Sequence, residues 1–252
     1  MLEQITPLVL TYNEAPNIAR VLQGLSWARD VVLVDSFSTD ETAAIAASFP
    51  NVRVVQRVFD CHRNQWQFGL TETQIKTEWV LALDADYVVT TDLINEMWAL
   101  CPDHDVVGYR ARFVYCISGK PLRSGIYPPV TVLYRRAAAN YIQDGHTQRV
   151  SLAGRVEELQ APLLHDDRKP LRRWLQSQKR YTKLEVEKLR VMDPAKLGLV
   201  DRLRRWPLVV PPVALFYCLI VRGGVRDGWH GFYYAFQRGT AELMLSLYWI
   251  KK

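Results

Sequence analysis

Two carboxylates one residue apart, Asp84 and Asp86, close the apolar run Trp79-Val80-Leu81-Ala82-Leu83. A run of that kind suits a buried strand. Side chains alternate along an extended chain, so both carboxylates are expected on one side of it, with Ala85 between them. Hard oxygen ligands at the carboxyl end of a buried strand can hold a divalent ion, which keeps waters and takes substrate phosphates. The chemistry indicated is a metal-diphosphate site. Asp-x-Asp is common in solvated loops, so the elements around it must carry the reading.

Those elements alternate. Ile5 to Leu10 reads as a first strand that breaks into Thr11-Tyr12-Asn13-Glu14, and Pro16 stands where a first helical residue belongs. Ile18, Val21, Leu22 and Leu25 then follow at helical spacing. Val31 to Val34 is a second buried strand ending at Asp35, and Ser38-Thr39-Asp40-Glu41 has the spacing of a capping box opening a helix through Ala43 to Phe49. Asn51 to Gln56 is a third strand, and Asn64 to Leu70 a short helix before the central strand. Strands alternating with helices imply right-handed crossovers and a parallel sheet, which binds ligands beyond the carboxyl ends of its strands. Thr11 to Glu14, Asp35 and Asp84 to Asp86 all fall there. The chain has no G-x-G-x-x-G and no G-x-x-x-x-G-K-[ST], which argues against a dinucleotide-binding oxidoreductase or a P-loop NTPase.

Thr11-Tyr12-Asn13-Glu14, Val34-Asp35-Ser36-x-Ser38-Thr39-Asp40-x-Thr42 and Asp84-Ala85-Asp86 together resemble the three successive motifs of inverting family 2 glycosyltransferases with the GT-A fold. The match covers roughly the first 100 residues. It implies an α/β fold with a mostly parallel central sheet, a nucleotide-sugar donor and Mg²⁺ or Mn²⁺. By the resemblance Tyr12, Glu14 and Asp35 would contact the nucleoside, Asp84 the ribose or the metal, and Asp86 the metal. Arg63 resembles the basic residue that many members place near the base or the diphosphate, although a surface Arg at a helix start reads equally well.

Beyond the third motif, Thr91 is a plausible cap for a helix carrying Leu93, Met97 and Leu100. Val106 to Ile117 and Val130 to Tyr134 have strand character and are expected to carry the acceptor side. Inverting transfer needs a general base on the acceptor hydroxyl, and Asp144, in Asp144-Gly145-His146-Thr147, is the candidate. His165, in Leu163-Leu164-His165-Asp166-Asp167, looks like the histidine GT-A enzymes supply as a further metal or diphosphate ligand. The layout also resembles bacterial lipopolysaccharide-core glucosyltransferases, which tend to carry His-Glu where this chain has His146-Thr147.

The last third changes character. Pro170 to Arg190 reads as an amphipathic helix with Leu171, Trp174, Leu175, Tyr181, Leu184 and Leu189 on one side and basic residues on the other. The apolar run 207–221 contains Pro211 and Pro212 and has 15 residues, fewer than the roughly 20 a spanning helix needs. With flanking basic residues and the aromatic tail from Trp229 to Trp249, it suits a protein lying on an anionic membrane surface. A helical extension packed on the catalytic domain is the alternative.

The net charge of +6 conceals a split: the first 100 residues carry 6 Lys and Arg against 13 Asp and Glu, the rest 26 against 13. An acidic half suits a metal site and a basic half suits phosphates. Four scattered cysteines and the absence of a secretory signal favour a reducing, cytosolic setting, peripheral on the cytoplasmic face of the inner membrane. The expectation is a GT-A catalytic domain over residues 1–168 and a helical, membrane-associating region over 169–252. It would move a hexose from a nucleotide-diphosphate sugar, UDP-sugar favoured, to a lipid-linked or glycolipid acceptor of cell-envelope glycan synthesis. A non-catalytic membrane- or RNA-binding module and a nucleotidyltransferase stand as alternatives, though no RNP-like or KH-like segment is present and nucleic acid is not an expected partner.

Overall fold

Seven strands form the main sheet in the order β12-β6-β9-β4-β1-β2-β3. They are β1 (Ile5–Thr11), β2 (Val31–Asp35), β3 (Val52–Gln56), β4 (Trp79–Asp84), β6 (Val106–Ala111), β9 (Val130–Arg135) and β12 (Arg155–Glu158). This computed structural model describes residues 1–251 apart from Gly145, His146, Pro194 and Lys196; the side chains of Gln143, Asp144, Thr147 and Gln148 also lie outside the description. The first four strands run parallel, while β9 runs antiparallel to both β4 and β6. All seven residues of β1 are buried, as a strand covered on both faces requires. Alternation sorts their side chains. Val9, Leu33, Leu81 and Leu83 join Ile18, Val21 and Leu22 of α1 (Ile18–Gln23) on one face. Leu8, Leu10, Val32, Val34 and Val80 meet Trp66 and Leu70 of α3 (His62–Thr71) on the other. There α3 approaches the sheet so closely that a Cβ at Gly69 would come within 2.8 Å of Leu8 Cδ2.

A smaller sheet pairs β5 (Tyr87–Val89) antiparallel to β13 (Leu163–His165), which runs parallel to β7 (Phe113–Ile117). β10 (Ala139–Asp144) and β11 (Thr147–Leu152) form a hairpin. Helices α2 (Thr42–Ala47) and α4 (Thr91–Ala99) complete the layers.

The chain divides into two compact units, residues 1–116 with 127–168, and residues 117–126 with 169–252. The second unit holds the short strand β8 (Lys120–Pro121) and helices α5 (Leu171–Val191), α6 (Leu199–Arg204), α7 (Val210–Phe216) and α8 (Trp229–Ile250). Buried Asp227 ties the 117–126 segment into it by accepting the N–H groups of Arg123 and Ser124 at 3.0 and 3.1 Å and the Ser124 hydroxyl at 2.8 Å.

Several local expectations are corrected. Pro16 lies in a turn before α1, whose first residue is Ile18. No capping box forms at Ser38, because its hydroxyl is drawn to the Asp35 carboxylate; Asp40 instead accepts the Thr42 N–H at 3.1 Å. Thr90, one residue before the expected cap, accepts the Leu93 N–H at 3.1 Å and caps α4. The stretch from Val106 to Ile117 is two strands, β6 and β7, belonging to different sheets. The run 207–221 becomes α7 followed by a π-helical turn over 217–221, and no described helix is long and apolar enough to cross a membrane.

Candidate active site

The carboxyl ends of β1, β2 and β4 are neighbours by register, with Thr11 opposite Asp35 and Leu10 opposite Asp84. The loops leaving the first two strands are knitted together. Asn13, at a φ of 56°, accepts the Thr39 and Asp40 N–H groups on its side-chain oxygen at 2.7 and 3.3 Å. Its own N–H donates to Ser38 Oγ at 2.7 Å, and the Glu14 N–H donates to Thr42 Oγ1 at 2.7 Å. Asparagine tolerates the left-handed region better than other non-glycine residues, which suits it to this turn. Asp35 is fully buried; its oxygens accept from the Ser38 hydroxyl, the Ser38 N–H at 3.0 Å and Gln56 Nε2 at 3.2 Å. Thr11 and Ala85 are buried, whereas Tyr12 is half exposed.

Phe37, missed by sequence reasoning, presents a second half-exposed ring at the end of β2, at a φ of 58°. An aromatic residue in the left-handed region costs about 1–2 kcal/mol, a strain that tends to be kept where function uses it. Arg63 sits exposed in the first turn of α3.

β4 ends at Asp84 and the chain turns at Ala85 and Asp86 before β5. The extended stretch thus ends before Asp86, whose surroundings are set by sheet pairing, and both carboxylates act electrostatically on Tyr87 and His165. β5 pairs with β13 so that Tyr87 lies opposite His165, and the Asp166 N–H donates to the Asp86 carbonyl at 3.0 Å. This places His165 Nε2 3.1 Å from Asp86 Oδ2. Burial opposes a charge on His165, but Asp86, with Asp167 and Asp84 behind it, outweighs burial and raises its pKa. Edges of Tyr87, Phe113 and Tyr115 surround the imidazole, with ring centroids 4.7–5.5 Å away. Its Nδ1 is buried with no hydrogen-bond partner among the described residues. Tyr87, also missed, donates its hydroxyl to Asp84; burial first, then the charges of Asp84 and Asp86, keep that phenol protonated far above its ordinary range.

Asn17 is the third residue the sequence did not flag. Fully buried, it donates to Glu14 Oε2 at 2.8 Å and to Asp167 Oδ1 at 3.0 Å, while its oxygen accepts the Arg168 N–H at 2.9 Å. The first loop and the segment after His165 are thereby clamped together. Glu14 is directed to this clamp.

The metal set of Asp84, Asp86 and His165 is brought together only in part. Among the described residues no three His, Cys, Asp or Glu side chains converge as a metal cage. Asp86 and His165 nevertheless fit adjacent positions on one ion, since two ligands at right angles with bonds of about 2.1 Å stand about 3 Å apart. A Mg²⁺-like ion commonly takes one or two protein ligands and fills the rest with waters and phosphate oxygens. The candidate base Asp144 ends β10, and its side chain and the whole of His146 fall outside the described residues.

The model of the family described as glycosyl transferase family 2 matches residues 8–149. An uncharacterized glycosyltransferase of Rickettsia felis is 28% identical over 146 residues, 56% of this chain and 50% of that one. The lipopolysaccharide core biosynthesis glycosyltransferase LpsC of Rhizobium meliloti is 26% identical over 140 residues, 52% and 48% of the two chains. The chain thus spans about half the length of the curated relatives it matches. Among solved structures, TarS of S. aureus in complex with UDP-GlcNAc is similar over 94% of this chain and 90% of its own, with a TM-score of 0.52 and 14% identity. Glucosyl-3-phosphoglycerate synthase of Mycobacterium tuberculosis, solved with Mn²⁺ and UDP, covers 75% and 81% with a TM-score of 0.51 and 15% identity. These likenesses show the fold.

Proposed function

Because the chain belongs to glycosyl transferase family 2, we propose that it moves a hexose from a nucleotide-diphosphate sugar, a UDP-sugar first among them, to a lipid-linked or glycolipid acceptor with inversion. The observation that carries this reading is the Asp86–His165 pair, 3.1 Å apart at the carboxyl end of β4 and beside the two knitted loops. Tyr12 and Phe37 offer ring surface to a nucleobase, and Asp35, through Ser38, holds the loop shape between them. Asp86 and His165 would hold Mg²⁺ or Mn²⁺, with Asp84 oriented by Tyr87 alongside. A bound divalent ion would offset the charge that grows on the departing diphosphate.

The acceptor hydroxyl must lose its proton as it attacks, and Asp144 is the group assigned to receive it. The aromatic rings packed around His165 and the hydrogen bonds of buried Asn17 hold the imidazole and the first loop in place. The relatives in envelope glycan synthesis, LpsC and the succinoglycan biosynthesis protein ExoO of Rhizobium meliloti, which is 31% identical over 100 residues, support an acceptor of that class. We place the protein on the cytoplasmic side of the inner membrane, where nucleotide sugars and lipid-linked acceptors meet.

The test is transfer of label from a panel of nucleotide sugars into the lipid-extractable fraction of bacterial membranes. One donor should label it in a Mn²⁺- or Mg²⁺-dependent way. Absence of transfer and of nucleoside diphosphate release with every donor would contradict the proposal.

A further inference from the structure

Helix α8 is built inside out for a helix in water. Trp229, Phe232, Phe236, Leu243, Leu247 and Ile250 are all exposed. At about 100° per residue they lie within about 60° of a single line along the helix. The opposite face, with Gly231, Tyr234, Ala235, Leu245 and Ser246, is buried within the second unit. The helix has two charged residues, and both turn away from the stripe. Glu242, 6% exposed, takes Arg204 Nη2 at 2.8 Å and Arg238 Nη2 at 3.7 Å. A surface helix normally sets its charges outward and its apolar side inward. Here 22 residues, about 33 Å of helix, show water an uncharged apolar stripe. Exposed Val213, Phe216 and Ile220 extend apolar surface along α7 and the turn after it.

The same unit holds 19 Lys and Arg against 6 Asp and Glu, a net +13, with Arg202, Arg205, Arg222 and Arg226 exposed. Contiguous apolar surface of this extent marks an interaction site. The charge selects the occupant. A second copy would set +13 against +13, and a nucleic acid would satisfy the arginines while leaving the stripe in water. An anionic bilayer surface satisfies both, taking aromatic and aliphatic side chains at the acyl boundary and arginines among the phosphates. We propose that α8, with α7 beside it, is a monotopic membrane-docking surface that lies in the headgroup region of anionic lipid without crossing it. The inference deepens the glycosyl-transfer reading by naming the surface from which a lipid-linked acceptor would be met, and rests on that reading for its purpose alone.

The full chain is sedimented with vesicles of phosphatidylethanolamine and phosphatidylglycerol, and with vesicles of phosphatidylcholine alone. The stripe is altered by Phe232→Glu, Phe236→Glu and Leu243→Glu together, and the rim by Arg222→Gln with Arg226→Gln, which line one hollow with Ile220 and Val221. The wild type should partition to the anionic vesicles. The stripe variant should bind both vesicle types about tenfold or more weakly with its thermal unfolding unchanged, because each side chain loses its burial in lipid. The rim variant should lose affinity for anionic vesicles alone. Equal binding by wild type and stripe variant, or a wild type that stays in the supernatant, would overturn the proposal. So would a stripe variant that dissolves a dimer seen by light scattering without any change in vesicle binding. Nucleotide-sugar binding measured on the same samples separates the two readings: vesicle binding without any donor binding leaves the surface standing and sinks the glycosyl-transfer proposal.

Discussion

His165 and Asp86 are 79 residues apart in the chain and 3.1 Å apart in space. Each was visible in the sequence because its type and neighbours stood out, Asp86 in the Asp-x-Asp repeat and His165 at a strand end before two aspartates. What could not be read was the pairing of β5 with β13 that joins them. Asn17 escaped for a related reason: its partners Asp167 and Arg168 lie 150 and 151 residues away. Phe37 escaped because its backbone angle, not its type, makes it unusual. Replacing it tests both sides of that tension. Phe37→Gly should raise stability by about 1 kcal/mol in denaturant titration by relieving a left-handed aromatic. It should also weaken nucleotide binding about tenfold by removing a stacking surface; unchanged nucleotide affinity would take Phe37 out of the donor site. For Asp144, the expected outcome of Asp144→Asn is a loss of transfer of about 100-fold or more with donor binding intact. Loss of donor binding as well would move this residue from the base role.

At the scale of elements, buried strands were legible and their surroundings less so. β1, β2 and β4 are apolar because both faces are covered, and such runs announce themselves. Helix starts were displaced: α1 begins two residues after Pro16, Thr90 rather than Thr91 caps α4, and the Ser38 hydroxyl is taken by Asp35 rather than by a helix N-terminus. The β10–β11 hairpin that carries Asp144 is anchored by contacts no local pattern encodes. Tyr141 stacks on Trp66 of α3 with centroids 5.4 Å apart and shares a hydrogen bond of 2.7 Å with Tyr134. Burial raises the pKa of both phenols, so the folded chain holds their protons after the unfolded chain has begun to release them. Their contribution to stability is complete below about pH 10, the ordinary phenol value, and is lost as pH rises beyond it. Unfolding followed from pH 8 to 11 should show this loss, and Tyr134→Phe should flatten the curve while costing about 1 kcal/mol at neutral pH. A variant as alkali-sensitive as the wild type would remove the pair from that role.

For the whole molecule, the charge split is sharper between the two units than between the two halves of the sequence: the first unit carries 13 Lys and Arg against 20 Asp and Glu, the second 19 against 6. The helical character of the C-terminal region was legible from periodicity, whereas the insertion of residues 117–126 into it was not, since it depends on Asp227 reaching back about a hundred residues. Screening should separate the two units' functions. Raising salt should weaken vesicle binding, which is driven partly by exposed arginines, and affect nucleotide-sugar binding less, since the side chains of His165 and Asp86 are only 18% and 13% exposed. Parallel loss of both would contradict the division.

The proposed transfer depends on a metal-dependent donor site built on Asp86 and His165. Calorimetric titration of UDP and UDP-sugars, with and without Mn²⁺, into the wild type and Asp86→Ala tests it most directly. One nucleotide diphosphate should bind tightly only with the metal and only in the wild type. Donor binding of equal strength without metal, or in Asp86→Ala, would contradict it.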